Sequence, residues 1–163
     1  MSKFILGFLL ITLTFCEQSP NWNNGESSIP VLLNKTLSAL RDNKDEELKI
    51  LFLSKDEHRV LFWKHTGERF TQDKGMSADS AYDFMSMETN LSIQTLKKRI
   101  TGTTEKNQFM GCKRSAETYG PFRLHLGCEI VVYDSDNKEE LIKNIYGIIE
   151  YKESFKLYNF KRN

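Results

Sequence analysis

Phe122-Arg-Leu-His-Leu-Gly-Cys-Glu-Ile-Val-Val-Tyr133 is a stretch of twelve residues in which every second side chain is apolar and suited to a core. Successive side chains of a β-strand point to opposite faces, so these apolar positions share one face. They are Phe122, Leu124, Leu126, Cys128, Ile130 and Val132. Such a face needs a second layer to cover it, and helical patterns upstream are the candidates. The stretch therefore predicts a half-buried strand at the centre of the fold.

Upstream of Gly102, apolar residues recur at helical spacing. Helices are expected over about 30–42 and 45–53, and the capping-box sequence Ser54–Glu57 precedes a third helical segment near residues 60–63. Ser77 can cap a fourth and longest helix, which ends at Gly102. The apolar face predicted for this helix consists of Phe84, Met87, Leu91, Leu96 and Ile100.

Downstream of Gly102, the apolar pattern changes to the two-residue period of strands. Strands are expected at about 106–113, 122–133, 140–151 and 155–161, joined by short turns. The predicted fold class is α+β, with N-terminal helices packed on a curved antiparallel β-meander of about four strands. The third strand is apolar on both faces, so it is either central and covered on both sides, or its second face lines a pocket.

Composition limits the classes of partner. The chain has 163 residues, of which 39% are hydrophobic and 28% charged, as in one ordinary globular domain, assigned here to residues 30–163. Its 23 Lys and Arg against 22 Asp and Glu give a formal charge of +1. No overall field therefore favours nucleic acid or an acidic membrane surface as a partner.

The first 16 residues have the pattern of an export signal. Lys3 provides a positive start, and Phe4 to Phe15 form a charge-free apolar segment. A helix of that length is too short to cross about 30 Å of hydrocarbon. We therefore expect an exported protein, with residues 17–29 as a flexible tether to the folded domain.

Cys16 leaves two processing routes open. The sequence Leu13-Thr-Phe-Cys16 resembles a bacterial lipobox, although Phe15 replaces the small residue that usually precedes the cysteine. In that route Cys16 is lipidated, and the protein is anchored in the cell envelope. In the other route cleavage follows Cys16, and the protein is secreted. Membrane contact is expected only through this possible N-terminal lipid.

In either route Cys16 is lipidated or removed, so Cys112 and Cys128 are the two cysteines left to form a disulfide. If the strand near 107–113 forms a hairpin with the central strand about Gly120, the two cysteines lie opposite one another. A disulfide there would close a loop of about 15 residues and contribute about 3 kcal/mol. Two buried free thiols are the alternative.

The C-terminal half resembles a known group of domains. Tyr119-Gly-Pro-Phe122, the strand Ile145–Tyr151 and the closing Ser154-Phe-Lys-Leu-Tyr-Asn-Phe160 are similar to segments of the NTF2/SnoaL and cystatin-like α+β domains. The resemblance implies a helix packed into the concave side of a bent sheet, with a cone-shaped pocket between them. It implies no catalytic residues, because the group has no invariant catalytic signature.

Three residues are weak candidates for acid/base catalysis. His125 lies between Arg123 and Glu129 on its strand face, which suits proton transfer but is also typical of a solvated cross-strand cluster. Asp79 and Asp83 are four residues apart on the longest helix, and by analogy with SnoaL-like enzymes they face the mouth of a pocket together with Tyr82. Their structural interpretation is a first-turn charge and a solvated helix face.

Metal and cofactor sites are not expected. His58 and His65 are seven residues apart and would share a face of one regular helix, but no third ligand follows at helical spacing. Phosphate-binding loops and nucleophilic triads are not found in the sequence.

Two functional hypotheses follow. The first is a non-enzymatic envelope or secreted domain that binds a small apolar ligand or a protein partner. The second is a SnoaL-like lyase, isomerase or hydrolase that acts on a small molecule in a cone-shaped pocket. A cystatin-type inhibitor is a weaker third option, because the chain lacks a loop like Gln-x-Val-x-Gly.

Overall fold

Four helices precede seven strands in the computed structural model, which describes residues 22–66, 75–113 and 115–161. The helices are α1 (Ile29–Arg41), α2 (Asp45–Ile50), the π-helical α3 (Glu57–Phe62) and α4 (Ala78–Ile100). The strands are β1 (Thr103–Cys112), β2 (Glu117–Tyr119), β3 (Phe122–Leu126), β4 (Cys128–Asp134), β5 (Glu139–Ile142), β6 (Ile145–Tyr151) and β7 (Ser154–Phe160). All pairings between these strands are antiparallel. The predicted α+β class is confirmed.

Six of the seven strands correspond to the four predicted strands, two of which are interrupted, and β2 was not predicted. The stretch 122–133 is divided at Gly127, whose φ of +64° suits glycine and turns the chain. The backbone ladder continues across this break, because the Gly127 amide donates to the Tyr146 carbonyl over 2.7 Å. The strands therefore form a bent meander that consists of two sheets, with the strand orders β1-β4-β5 and β2-β3-β6-β7.

Two core clusters pack on opposite faces of the bent sheet. The aliphatic cluster joins α1 and the C-terminal half of α4 to β4, β5, β6 and β7. The aromatic cluster joins Phe62 of α3 to Phe122, Leu124 and Leu126 of β3. Ile148 belongs to the first cluster and Ile149 to the second. The doubly apolar third strand is therefore covered on both sides, which was the first of its two predicted alternatives.

Helix α4 buries a different face from the predicted one along its N-terminal half. Leu96 and Ile100 are fully buried as expected, but Phe84, Met87 and Leu91 are 58%, 54% and 44% exposed. We call these three residues the α4 outer stripe. The buried residues of α4 are Thr89, Ser92, Leu96 and Ile100, so the buried face includes two small polar side chains. Periodicity alone does not show which of two apolar faces meets a partner.

The segment 22–28 is part of the folded domain, which is not the behaviour of a flexible tether. The Trp22 ring lies 5.9 Å from that of Phe122, and its Nε1 donates to Ser154 Oγ over 3.0 Å. Glu26 and Phe155 exchange two backbone hydrogen bonds of 2.8 Å. The predicted tether over 17–29 is therefore wrong for its described part. The export signal and Cys16 lie outside the described residues.

Cys112 and Cys128 are directly paired in the β1–β4 register, as the hairpin argument predicted. Their sulfur atoms lie 2.02 Å apart, which is disulfide-bonding distance. Among the helices that the structure describes, none is both long enough and apolar enough to cross a membrane.

Candidate functional site: a groove between α2 and α4

A groove of about 550 Å³ separates α2 and the segment after it from the N-terminal and middle turns of α4. Residues 51–53 are held against β7 by two backbone hydrogen bonds of 2.8 Å each. The Leu53 amide donates to the Leu157 carbonyl, and the Leu157 amide donates to the Leu51 carbonyl. From the sheet, Tyr158 of β7 also lines the groove. A cavity of this size is typical of sites for small molecules. We call it the α2–α4 groove.

Ion pairs connect the two walls at both ends. Lys55 binds Asp83 over 2.8 Å near the start of α4, and Asp45 binds Lys97 near its end. Asp83 and Lys97 are 14 positions apart, which corresponds to roughly 21 Å along a helix at 1.5 Å per residue. Exposed pairs of this kind each contribute about 0–1 kcal/mol. They therefore contribute little to holding the two walls of the groove together.

The lining of the groove combines apolar side chains with small polar ones. The apolar group is Leu48, Phe52, Leu53, Met85 and Ile93, and the polar group is Ser54, Ser86, Thr89, Asn90 and Gln94. Two further residues, Tyr82 and Tyr158, present both a ring and a hydroxyl. This is the usual composition of a small-molecule site, where apolar contacts give affinity and a few polar groups fix orientation.

Behind the two tyrosines lies a buried histidine. The His58 ring is 1% exposed and lies 5.4 Å from the ring of Tyr82 and 6.4 Å from that of Tyr158. Its Nδ1 has no hydrogen-bond partner in the described part of the chain. Burial lowers the pKa of His58 to about 4, against a smaller opposite effect of the Asp79 carboxylate. The imidazole is therefore neutral near pH 7.

Burial also keeps the two phenols neutral. It raises the pKa of Tyr158 to about 12 and shifts the pKa of Tyr82 upward as well. The Tyr82 hydroxyl donates to the Leu53 carbonyl over 3.1 Å, which fixes this wall.

A buried ion pair between Glu57 and Lys156 lies next to Ser54 of the groove lining. Lys156 Nζ lies 2.7 and 2.8 Å from the two carboxylate oxygens of Glu57, and these residues are 3% and 4% exposed. Glu57 also accepts the Ser54 amide over 2.9 Å, while the Glu57 amide donates to Ser54 Oγ over 3.2 Å. The predicted capping box is therefore confirmed, and its carboxylate is also the partner of Lys156.

The catalytic candidates from the sequence do not line this groove. His125 Nε2 lies 2.7 Å from Glu150, which also pairs with Arg123, so His125 belongs to a cross-strand cluster on β3 and β6. Asp83 is exposed and paired with Lys55. Asp79 is half-buried, and its Oδ1 has no hydrogen-bond partner among the described residues.

The two histidines considered for a metal do not share a face. His58 is buried and His65 is exposed. His58 lies within the π-helical turn Glu57–Phe62, and this turn changes the phase of the helix before His65, which a regular spacing does not anticipate. Within the described ranges, no group of three or more His, Cys, Asp or Glu side chains is arranged to hold a metal ion.

Lys156 and Tyr158 were not identified from the sequence as site residues. Lys156 and Tyr158 are two positions apart on β7, so they lie on the same face of the strand, toward the aromatic cluster. A lysine at such an inward position was the signal in the sequence that could have pointed to this site. The helical position of Tyr82 beside Asp79 and Asp83 predicted it at the mouth of a pocket, and the structure places it in the lining of the groove.

Comparison with known proteins gave no match to any family model, to any curated protein or to any solved structure.

Proposed function

We propose that this protein is an exported, non-enzymatic binding protein that holds a small, largely apolar molecule in the α2–α4 groove. The observation that carries this proposal is the groove itself, with about 550 Å³ of space and a mainly apolar lining. The charge-free segment Phe4–Phe15 and the cysteine pair at disulfide distance support export.

The alternative of a SnoaL-like lyase, isomerase or hydrolase requires acid/base groups that converge on one pocket. His125, Asp79 and Asp83 are absent from the lining of the groove. His125 contacts the Glu150 carboxylate over 2.7 Å, and Asp83 forms an ion pair with Lys55. The geometry therefore favours binding over catalysis.

The binding of prodan, a neutral naphthyl ketone whose fluorescence reports an apolar environment, tests the proposal. Ser86→Phe places a ring in the groove from α4, whereas Thr95→Phe adds the same ring to an exposed position of the same helix. We expect the wild type and Thr95→Phe to bind prodan with similar affinity and Ser86→Phe to bind at least tenfold more weakly. Equal unfolding midpoints for the two variants establish that both are folded.

Two results would overturn this proposal. One is a wild-type protein that does not bind prodan. The other is a Ser86→Phe variant that binds prodan as well as Thr95→Phe does, because the dye would then occupy a different surface.

A further inference from the structure

The two walls of the α2–α4 groove run in opposite directions along the chain, and ion pairs bridge them at both ends. Lys55 pairs with Asp83 at one end, where the first turns of α4 lie. Asp45 pairs with Lys97 at the other end, near the end of α4. A molecule that lies along the groove therefore has a limited length available to it.

The groove is long and narrow. Its lining along α4 begins at Tyr82 and ends at Gln94, twelve positions later, which corresponds to about 18 Å along the helix. Dividing the volume of about 550 Å³ by this length gives a mean cross-section of about 30 Å², the area of a circle about 6 Å across. Packed carbon atoms lie about 3.5–4.0 Å apart, so this width admits one hydrocarbon chain and excludes two side by side.

The middle of the groove is apolar, and its charged residues balance one another. Asp45 and Lys55 belong to the ion pairs at the ends, and the other two charged lining residues, Glu46 and Lys49, are exposed and opposite in sign. No excess charge therefore favours an anionic or a cationic ligand. The apolar side chains of the lining, which match a hydrocarbon, are Leu48, Phe52, Leu53, Met85 and Ile93.

We infer that the α2–α4 groove binds a single unbranched hydrocarbon chain whose uncharged polar head lies at one end of the groove. An extended chain advances about 1.25 Å per carbon, because its bonds are about 1.5 Å long and meet at nearly tetrahedral angles. The lining of about 18 Å therefore accommodates about 14 carbons. This inference rests on the proposed function, because it specifies the shape of a ligand in the same groove.

Displacement of prodan by linear 1-alkanols of 6, 8, 10 and 12 carbons tests this inference. We expect the affinity of the wild type to rise about two- to fourfold per added carbon, because each methylene buries a similar apolar area. The isomers 1-dodecanol and 2-butyl-1-octanol contain the same atoms but differ in width. The branched isomer should bind about tenfold more weakly, because it overfills a site one chain wide.

A variant that shortens the groove sharpens the test. Gln94→Phe places a ring at the last lining position of α4, whereas Thr95→Phe places the same ring at the next position, which is outside the lining. The ring occupies the length of about four carbons, so the affinity of Gln94→Phe should stop rising at about 10 carbons. Thr95→Phe should follow the wild type through 12 carbons. Equal binding of 1-hexanol by both variants and the wild type shows that the rest of the groove is intact.

The outcomes separate this inference from the proposed function. If prodan does not bind, or binds Ser86→Phe as well as Thr95→Phe, the proposed function fails and this inference fails with it. If prodan occupies the groove but no alkanol displaces it, or the branched isomer displaces it as well as 1-dodecanol does, the groove is a binding site and the inference is wrong. An affinity that rises through 12 carbons in Gln94→Phe would also overturn the inference.

Discussion

The two core clusters of this protein differ in chemistry although they share the same sheet. The aliphatic cluster consists almost entirely of Leu, Ile, Val and Ala side chains with Phe160 and Cys128. The aromatic cluster adjoins the buried Glu57–Lys156 pair and the buried His58, and it includes Tyr158 of the groove. The first cluster has only apolar contacts to lose on unfolding, whereas the second depends on the charge state of its polar groups.

This difference separates fold from function. An aliphatic core is stable over a wide range of pH, because it contains no group that titrates. Buried ionisable groups beside a groove make one side of the domain sensitive to substitution and to acid. Changes in the aromatic cluster should therefore affect pH dependence and ligand binding, and changes in the aliphatic cluster should affect stability alone.

The largest effect is expected from breaking the buried ion pair. Lys156→Ala leaves the Glu57 carboxylate buried without its main partner, which should cost about 3–5 kcal/mol in the free energy of unfolding, measured with urea. The double variant Glu57→Leu, Lys156→Leu removes both charges and should be more stable than the single variant. A loss below about 1 kcal/mol for Lys156→Ala would show that the pair is not buried as described.

Truncation in the aliphatic cluster should cost slightly less. Leu33 of α1 is fully buried, so Leu33→Ala should lower the free energy of unfolding by about 3 kcal/mol without changing its pH dependence. Val31 is on the same helix but 37% exposed, and Val31→Ala should cost under about 1 kcal/mol. Equal losses at the two positions would contradict the assigned face of α1.

Acid should destabilise the protein through His58. The unfolded chain binds a proton at this residue below pH 6.5, whereas the folded protein binds it only near pH 4, because burial lowers the pKa of His58. Stability should therefore fall as pH decreases from 6.5 to about 4, by about 3 kcal/mol from this residue, and this contribution should level off below pH 4. Urea unfolding of His58→Leu should show a shallower decrease over this window than the wild type. If the free energy of unfolding decreased equally in both proteins, His58 would not be the cause of the acid sensitivity.

The smallest effect is expected on the outer stripe of α4. Phe84→Ser changes an exposed side chain, so the free energy of unfolding should change by less than about 0.5 kcal/mol. Leu96→Ala, on the buried face of the same helix, is the comparison and should cost about 3 kcal/mol. A loss of 2 kcal/mol or more for Phe84→Ser would place the stripe in the core, as its periodicity predicted.

Much of the fold could be predicted from periodicity. The alternation along 122–133, the switch at Gly102 and the capping residues Ser54 and Ser77 each act locally, so they are readable from the sequence. The packing of Trp22 was missed, because it depends on contacts between distant segments. The face of α4 was misassigned along its first half for the same reason.

The groove could not be predicted. It arises where residues 51–53 leave α2 and pair with β7, which is a long-range event without a local signal. His58 was considered as an exposed or metal-binding residue because regular helical spacing was assumed, and the π-helical turn of α3 invalidates that assumption. Lys156 and Tyr158 gain their roles from Glu57 and from the groove, neither of which is near them in sequence.

Amide NMR spectra recorded during a titration with prodan test the binding account most directly. The account predicts chemical-shift changes concentrated at Phe52, Ile93 and Tyr158, which line the α2–α4 groove. The rival apolar surface is the α4 outer stripe, at Phe84, Met87 and Leu91. Changes confined to the outer stripe, with the groove resonances unmoved, would contradict the account.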